Sequence, residues 1–498
     1  MSDMGLDVGQ TGCRAIIFDE GGTQLAFSYC EYPTLVPEKG WAELDSEGVK
    51  NACFAVMKDA QQQCPADPVR GLGISTQGEA FTPIGPEGEC LANAMITFDT
   101  RATIIAEQWS NQFGIKKLYT ITGHTAHPMF SLFKLLWLKN HRPEIFDKAV
   151  KFLCFEDFIQ HSLGIEPHIS WSLAGRTMLF NIRAHRWEQE LLEAVGISPS
   201  KLAILVPSGE KVGTIPSSVA RHLGFGEEVV VVSGGHDQPL GALGAGVTSP
   251  RLAMYATGTS ECITPVFQKP VLNDSLMRSN LCTYDYAIRE MYTTVAFSLT
   301  GGNILKWFRD VWGKPEADVA AASGRDVYEI LLERIGNSPS GLLVLPYFTP
   351  SGTPYFDTEV PGSITGIRLS TKREQVLRAL LEGVAFEMRL NLDILEKSHI
   401  IIKELRAIGG GARSKIWTQL KADVLNKPIT TVEETEAACF AAAMLARAKR
   451  TGEPLESIVG RWVKTGEVIE PNEENASFYA DQFESYKKLY PAMKSVHR

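Results

Sequence analysis

Short apolar runs that end in glycine alternate along this chain with longer segments whose apolar residues return every three or four positions. Six of the short runs read as strands, or as strands leaving into a loop: RAIIFDE (14–20), VRGLGIST (69–76), EEVVVVSGG (227–235), LAMYATGTS (252–260), GLLVLPYF (341–348) and ELRAIGGG (404–411). Apolar runs of this length suit strands buried on both faces. The clearest helix follows Thr371, where Leu377, Leu380, Leu381, Val384, Met388, Leu392 and Leu395 form one apolar stripe. Thr371 and Glu374 stand at the spacing of a capping box, which predicts the helix start there. Strands alternating with helices predict an α/β fold.

A run of small residues, Gly244-Ala245-Gly246-Val247-Thr248-Ser249-Pro250, breaks the pattern near the middle. It predicts two domains, 1–246 and 247–498. Each opens the same way: GLDVGQTGCRAIIFDEGG (5–22) and YATGTSECITPVF (255–267) both read as strand, tight Gly/Thr turn, strand. Such a turn offers N–H groups and hydroxyls to a phosphate, and it also suits a plain β-hairpin. Two of them, one per domain, would face each other across a cleft.

Composition narrows the classes. The 498 residues are 44% hydrophobic and 21% charged, an ordinary globular balance. A net charge of −9 argues against a broad nucleic-acid footprint, which needs a basic face. No apolar run approaches the roughly 20 residues of a membrane span. The nine cysteines are scattered without a C-x-x-C pair, and the opening residues do not resemble a signal peptide. Both features predict free thiols in a cytoplasmic protein. His124 and His127 lack partners at zinc spacing, so no transition-metal site is expected.

Two stretches carry candidate chemistry. In VVVVSGGHDQPLGALGAG (229–246), His236 and Asp237 follow two glycines at the mouth of an apolar run. A carboxylate there can take a proton from a hydroxyl that the glycines let come close. It can equally cap a helix with Pro239 in its first turn. GGGARS (409–414), with Glu433 about 20 residues on, half-fits the dinucleotide pattern G-x-G-x-x-G but lacks the last glycine. These residues alone leave open a phosphotransferase, an NAD-dependent oxidoreductase, and an actin- or chaperone-like ATPase that works on a partner.

Five motifs in order resemble the FGGY family of carbohydrate kinases. Asp7-Val8-Gly9-Gln10-Thr11-Gly12 resembles the first phosphate turn, and Gly234-Gly235-His236-Asp237-Gln238 the catalytic-base loop. MFSLFKLLWLKNH (129–141) and GSITGIRLSTKREQVLRALLE (362–382) match the two family signatures, and LRAIGGGARSKIW (405–417) resembles the adenosine loop. The resemblance implies two actin-like (ribonuclease H-like) ATPase domains flanking a catalytic cleft, the first binding sugar and the second nucleotide. It implies ATP and Mg²⁺, with Asp237 as catalytic base and Asp7 holding the metal through water. Gly9, Thr11, Gly12 and Arg14 would meet the phosphates from one side, Gly258 and Thr259 from the other. Gly302 would lie close to the nucleotide, and Gly410, Gly411 and Ser414 would border adenine and ribose. On the residues alone, Asp7 also suits a turn cap and Arg14 a solvated strand position.

The resemblance places the acceptor among Gln77, Gly78, Glu79, Asp99, Arg101, Met129, Asp237 and Gln238. Polar groups around an apolar floor suit a sugar, although loop polarity alone accounts for any one of them. Glycerol kinases carry Gln-Arg-Glu at the first of these loops and xylulose kinases Met-His-Gly; here Gln77-Gly78-Glu79 stands instead. Glycine in place of arginine is expected to remove a fixed donor and open volume. Phe98 stands where a tryptophan is usual. The expected acceptor is a ketose or polyol larger than glycerol, with a xylulose-like pentulose favoured and glycerol or another small polyol as the alternative. The expected partner is that small molecule, with no nucleic acid and no membrane; a homodimer is left open.

Overall fold

The structure, a computed structural model, describes residues 2–497. Fourteen strands define it here: β1 (Ser2–Val8), β2 (Gly12–Phe18), β3 (Gln24–Glu31), β4 (Val69–Thr76), β5 (Lys211–Thr214), β6 (Val230–His236), β7 (Leu252–Thr257), β8 (Glu261–Phe267), β9 (Tyr284–Asp285), β10 (Tyr292–Thr293), β11 (Ala296–Ser298), β12 (Glu404–Ile408), β13 (Ile429–Val432) and β14 (Thr465–Ile469). Eight helices matter to the site: α1 (Ser46–Gln63), α2 (Ser131–His141), α3 (Trp171–Arg176), α4 (Asp237–Gly244), α5 (Gly302–Trp312), α6 (Arg373–Lys397), α7 (Lys415–Leu425) and α8 (Ala437–Thr451).

Two sheets repeat one plan. The first runs β5-β6-β4-β1-β2-β3, the second β9-β10-β8-β7-β12-β13-β14 with β11 also on β8. In each, an antiparallel hairpin (β1–β2, β7–β8) lays its first strand beside a parallel strand (β4, β12), and a second parallel strand follows (β6, β13). The two strand–turn–strand stretches in the sequence are these hairpins. The result is the expected mixed α/β fold with two actin-like sheets.

Strand alternation explains how the halves join. Met4, Leu6 and Val8 share one core with Val49, Cys53, Val56 and Met57 of α1. The opposite face of β1 carries Asp3, Gly5 and Asp7, paired in register with Gly71, Gly73 and Ser75 of β4. The alanine-rich helix α8, from the far end of the chain, presses on this face. A Cβ on Gly5 would stand 1.9 Å from the Cys439 carbonyl oxygen, and one on Gly73 2.0 Å from that of Ala442. A Cβ on Gly244 of α4 would stand 2.0 Å from the Ala437 carbonyl. Backbone meets backbone at all three places. Asp3 closes one end of the groove with Arg450 at 2.9 Å, and Asp7 is left at the other end. The segment around β9 also fastens to the first half. Thr283 N–H donates to the Gly123 carbonyl (2.8 Å), the Tyr119 hydroxyl to that of Leu281 (3.0 Å), and His185 pairs with Asp285 (2.9 Å).

Sequence expectations on the start of α6 and on one strand need correction. Helix α6 starts at Arg373, where the Gln375 side chain accepts the Lys372 N–H (2.9 Å) and Thr371 accepts the Arg368 N–H of the preceding turn (2.9 Å). The capping pair therefore sits one residue later than Thr371/Glu374. GLLVLPYF contributes only Leu343–Leu345, in a two-stranded ladder with Ser363–Thr365 outside both main sheets. The small-residue run at 244–250 opens with the end of α4.

Candidate active site

Strand β6 delivers His236 and Asp237 to the cleft, and its glycines are dictated by close packing. Gly235 has φ 142°, and a Cβ there would lie 2.2 Å from Ser172 Oγ. A Cβ on Gly234 would lie 2.0 Å from the Ile74 carbonyl oxygen. Behind this loop, buried Glu156 accepts both the hydroxyl (2.8 Å) and the N–H (3.0 Å) of Ser170. Ser170 touches Ser172 (3.3 Å), whose hydroxyl accepts the His236 N–H (3.3 Å). Asp237 is the first residue of α4, and the N-cap position falls to His236, so the capping role considered for Asp237 is not what this carboxylate does. Its side chain is 32% exposed. Burial in the cleft pushes its pKa up to about 7; Asp7 and Glu79 add to the rise and Arg176 opposes it. A carboxyl poised near neutrality suits general-base work.

The loop after β4 supplies Gln77, Gly78 and Glu79. Gln77 Nε2 donates to the Gly9 carbonyl (3.0 Å), which also accepts the Tyr32 hydroxyl (2.6 Å). Gln77 thus braces the first phosphate turn, and its Oε1 has no hydrogen-bond partner. Glu79 takes a left-handed φ of 63° and turns its carboxylate inward to Arg176 of α3 and to the Thr97 hydroxyl (2.9 Å). Its carbonyl accepts the Ser131 hydroxyl of α2 (2.8 Å) and lies 3.5 Å from Lys134 Nζ. Arg176 Nη2 reaches Met129 Sδ (3.7 Å), and the guanidinium lies over Phe130 and Tyr284. Arg176 Nε and Gln238 Oε1 are buried without a partner.

Arg176 overturns the expectation about Gly78. A Cβ there would sit 3.1 Å from the His236 ring and 3.3 Å from Arg176 Nε. The volume is occupied by the His236 ring and by a guanidinium carried on α3. Asp99 and Arg101 also differ from the expected acceptor contacts. They bind each other at 2.7 Å, with Glu43 on Arg101 (2.7 Å) and the Ala42 N–H on Asp99 (2.8 Å). Arg101 is sandwiched against Trp41 and Trp137, and the two side chains are 3% and 1% exposed. Their charges are spent on holding the loop at 98–102.

Asp7 and Ser75 are cross-strand neighbours, and Asp7 Oδ1 accepts the Ser75 hydroxyl (2.8 Å). Burial raises the Asp7 pKa; Arg14, with Nε 3.8 Å away, works against the rise. Arg14 also pairs with Glu436 ahead of α8, so it spans the two halves. In the turn, the Gly9 N–H donates to the Gly12 carbonyl (3.0 Å), while Thr11 stays exposed.

The second hairpin faces a cavity of about 850 Å³ lined by Gly258, Thr259, Gly302, Gly410, Gly411 and Ser414, with Tyr328 and Trp417 among the other walls. The Gly302 N–H donates to the Gly258 carbonyl (2.8 Å), and a Cβ on Gly302 would stand 2.5 Å from that oxygen. This docks the start of α5 on the hairpin turn. A Cβ on Gly411 would lie 2.3 Å from Thr257 Cγ2, whereas Gly258 and Gly410 have nothing within 4 Å and open to the cavity. Ser414 spends its hydroxyl as the cap of α7, accepting the Trp417 N–H (3.2 Å). Beneath the turn, buried Lys421 pairs with Glu261 (2.8 Å) and meets the Thr257 hydroxyl.

The structure therefore brings Asp7, Gln77, Gly78, Glu79, Met129, Asp237 and Gln238 to one side and the glycine-lined cavity to the other. Sequence reasoning missed Arg176 and gave His236 no role. The available signal was an arginine between apolar neighbours in SLAGRTMLF (172–180).

Comparisons with known proteins follow this geometry. Residues 3–244 match the N-terminal domain, and residues 253–449 the C-terminal domain, of the FGGY family of carbohydrate kinases. A xylulose kinase of Staphylococcus xylosus is 26% identical over 491 residues, 98% of this chain and 99% of the relative. A gluconokinase of Bacillus subtilis (strain 168) is 28% identical over 447 residues, 89% and 86% of the two chains. The solved structure of a ligand-bound xylulose kinase from Lactobacillus acidophilus superposes with a TM-score of 0.91 at 25% identity, covering 100% of this chain and 99% of that one. The two domain matches thus identify the chain as a member of the FGGY family of carbohydrate kinases, ATP-dependent phosphotransferases.

Proposed function

We propose that this enzyme transfers the terminal phosphoryl group of ATP to a hydroxyl of a ketose or polyol, a xylulose-like pentulose before a small polyol such as glycerol. The observation that supports this reading most is the trio of unpartnered polar atoms beside Asp237: Gln77 Oε1, Gln238 Oε1 and Arg176 Nε. One donor and two acceptors around a carboxylate suit a polyhydroxylated ligand over the apolar floor of Met129 and Phe130. Arg176 and His236 fill the space above Gly78, so the preference for a pentulose rests on the xylulose kinase relatives and not on added volume.

Asp237 takes the proton of the acceptor hydroxyl as that oxygen bonds the terminal phosphorus and the bond to the bridging oxygen breaks, releasing ADP. The two hairpin turns, with Thr11 on one and Gly258 and Thr259 on the other, hold the phosphate chain. Gly410 and Gly411 border the base and ribose. Asp7 would hold Mg²⁺ through water; a buried carboxylate whose pKa stays raised by desolvation despite Arg14 fits a hard cation as added countercharge. Among the described residues there is no cluster of three or more metal-ligating side chains. That fits a cation carried largely by phosphate oxygens and water. When bound, the ion neutralises charge on the transferring group. A coupled ADP-release assay with ATP, Mg²⁺ and a panel of D-xylulose, D-ribulose, gluconate and glycerol tests the reading. The expected result is highest kcat/KM for a pentulose; turnover confined to glycerol would replace it with the small-polyol alternative.

A further inference from the structure

The base has a neighbour that the phosphoryl-transfer scheme does not use. His236 Nε2 lies 3.3 Å from Asp237 Oδ1, and on the far side of the ring Nδ1 lies 2.9 Å from the Tyr284 hydroxyl. Tyr284 is fully buried on β9, in the segment fastened to the first half. Burial, with Arg176 and His124 nearby, holds the His236 pKa well below its ordinary value, so the ring carries a single N–H. An ionised Asp237 carboxylate 3.3 Å from Nε2 favours by charge the tautomer with its proton on that nitrogen. Nδ1 is then the acceptor and the Tyr284 hydroxyl the donor. Gly78 belongs to this arrangement, because a Cβ there would stand 3.1 Å from the ring.

We propose that Tyr284 and His236 form a positioning relay that fixes the orientation of Asp237, resting on the reading of Asp237 as the base. Carboxylate rotation about χ2 is soft and close to two-fold. The Nε2–H dipole, 3.3 Å from Oδ1, favours by charge one rotamer of the carboxylate, which leaves Oδ2 to meet the acceptor hydroxyl. When Oδ2 receives the proton, the Nε2–H still faces Oδ1, so the relay moves no proton itself. The acid formed on Asp237 returns its proton to solvent as product leaves.

Imidazole ¹⁵N shifts of histidine-labelled protein read the tautomer without any acceptor, with His236→Gln identifying the signals. Above pH 8, where Asp237 is ionised, the expected wild-type ring is Nε2–H, and Tyr284→Phe shifts it toward a mixture. An Nδ1–H ring in the wild type overturns the relay. Kinetics use whichever of D-xylulose, gluconate or glycerol turns over fastest. Tyr284→Phe keeps the ring contacts with His124 and Arg176 and removes one hydroxyl. It should lower kcat about fivefold, the worth of one neutral hydrogen bond, with both KM values within about twofold. His236→Ala should cost roughly 10–100-fold in kcat, and His236→Gln, which keeps an N–H donor, less. Unchanged kcat in a folded Tyr284→Phe enzyme, while Asp237→Asn is impaired, overturns the relay alone; unchanged kcat in both means that the base assignment has failed.

Discussion

The two faces of the cleft are made of different materials. The face proposed for the acceptor is a network of side chains: Glu79 pairs with Arg176 and the Thr97 hydroxyl, and Tyr284 meets His236 beside Asp237. These groups come from well-separated segments and are mostly buried. The face proposed for the nucleotide exposes bare backbone at Gly258 and Gly410, with the Ser414 hydroxyl already used as a helix cap, between walls that include Lys306, Tyr328, Arg413 and Trp417. A side-chain network discriminates among ligands, because each misfit leaves a buried polar group unpaired. A backbone cradle holds what every turnover shares, the phosphates and the base. Substitutions on the first face should therefore act on kcat or acceptor choice, and those on the second on the KM for ATP.

Four measurements break or sharpen that contrast. Asp237→Asn removes the proposed base; kcat should fall about 10²–10⁴-fold with little change in ATP binding. Near-normal turnover in the folded variant would end the base assignment. Asp7→Ala should lower turnover roughly 10–100-fold, the usual cost of losing a group that orients a metal's shell, and raise the Mg²⁺ concentration at half-maximal rate. An unchanged Mg²⁺ titration would make Asp7 structural.

On the nucleotide face, Gly410→Ala meets no protein atom, so the fold should be untouched. Its KM for ATP should rise about tenfold, the equivalent of about 1.4 kcal/mol of lost contact, at constant kcat. A fall in kcat with constant KM would erase the distinction between the faces. The mildest test is pH. Asp237 must be deprotonated to act, and its pKa is raised to about 7. The rate should fall as pH drops, about twofold from pH 8 to 7 and approaching tenfold per unit below. A flat profile from pH 8 to 5.5 would point to a base with an ordinary carboxylate pKa.

The same contrast decided what could be read from the chain. The nucleotide face was legible because its parts are local: a Gly/Thr turn or a GGGARS loop is a few consecutive residues. The acceptor face was legible only in pieces. Asp237 and Gln77 announced themselves beside glycines. Arg176 did not, because its partner Glu79 is 97 residues away and its neighbours are apolar. Asp99 and Arg101 misled for the opposite reason, being polar, adjacent and on a loop, yet satisfied by Glu43 and by each other. The start of α6 slipped by one residue because Thr371/Glu374 and Lys372/Gln375 offer rival caps, and side chains alone do not rank them. The duplicate hairpins fixed the architecture, whereas the covering of the first sheet by α8 had no signal beyond alternating glycines at Gly5, Gly71 and Gly73.

That covering also sets a timetable for the growing polypeptide. The glycine-lined face of the first sheet is matched to one helix, and that helix starts at Ala437, some way after the sheet is complete at His236. At roughly 5–20 residues per second, a ribosome needs on the order of 10–40 s to make the intervening stretch. Through that interval the nascent first half carries the bare groove around Gly5 and Gly73, together with an Asp3 that has not yet met Arg450. A holding chaperone, or slow codons placed elsewhere than this gap, would shorten the exposure. Separately made fragments, cut near residue 246, should each be poorly soluble alone and recover on mixing.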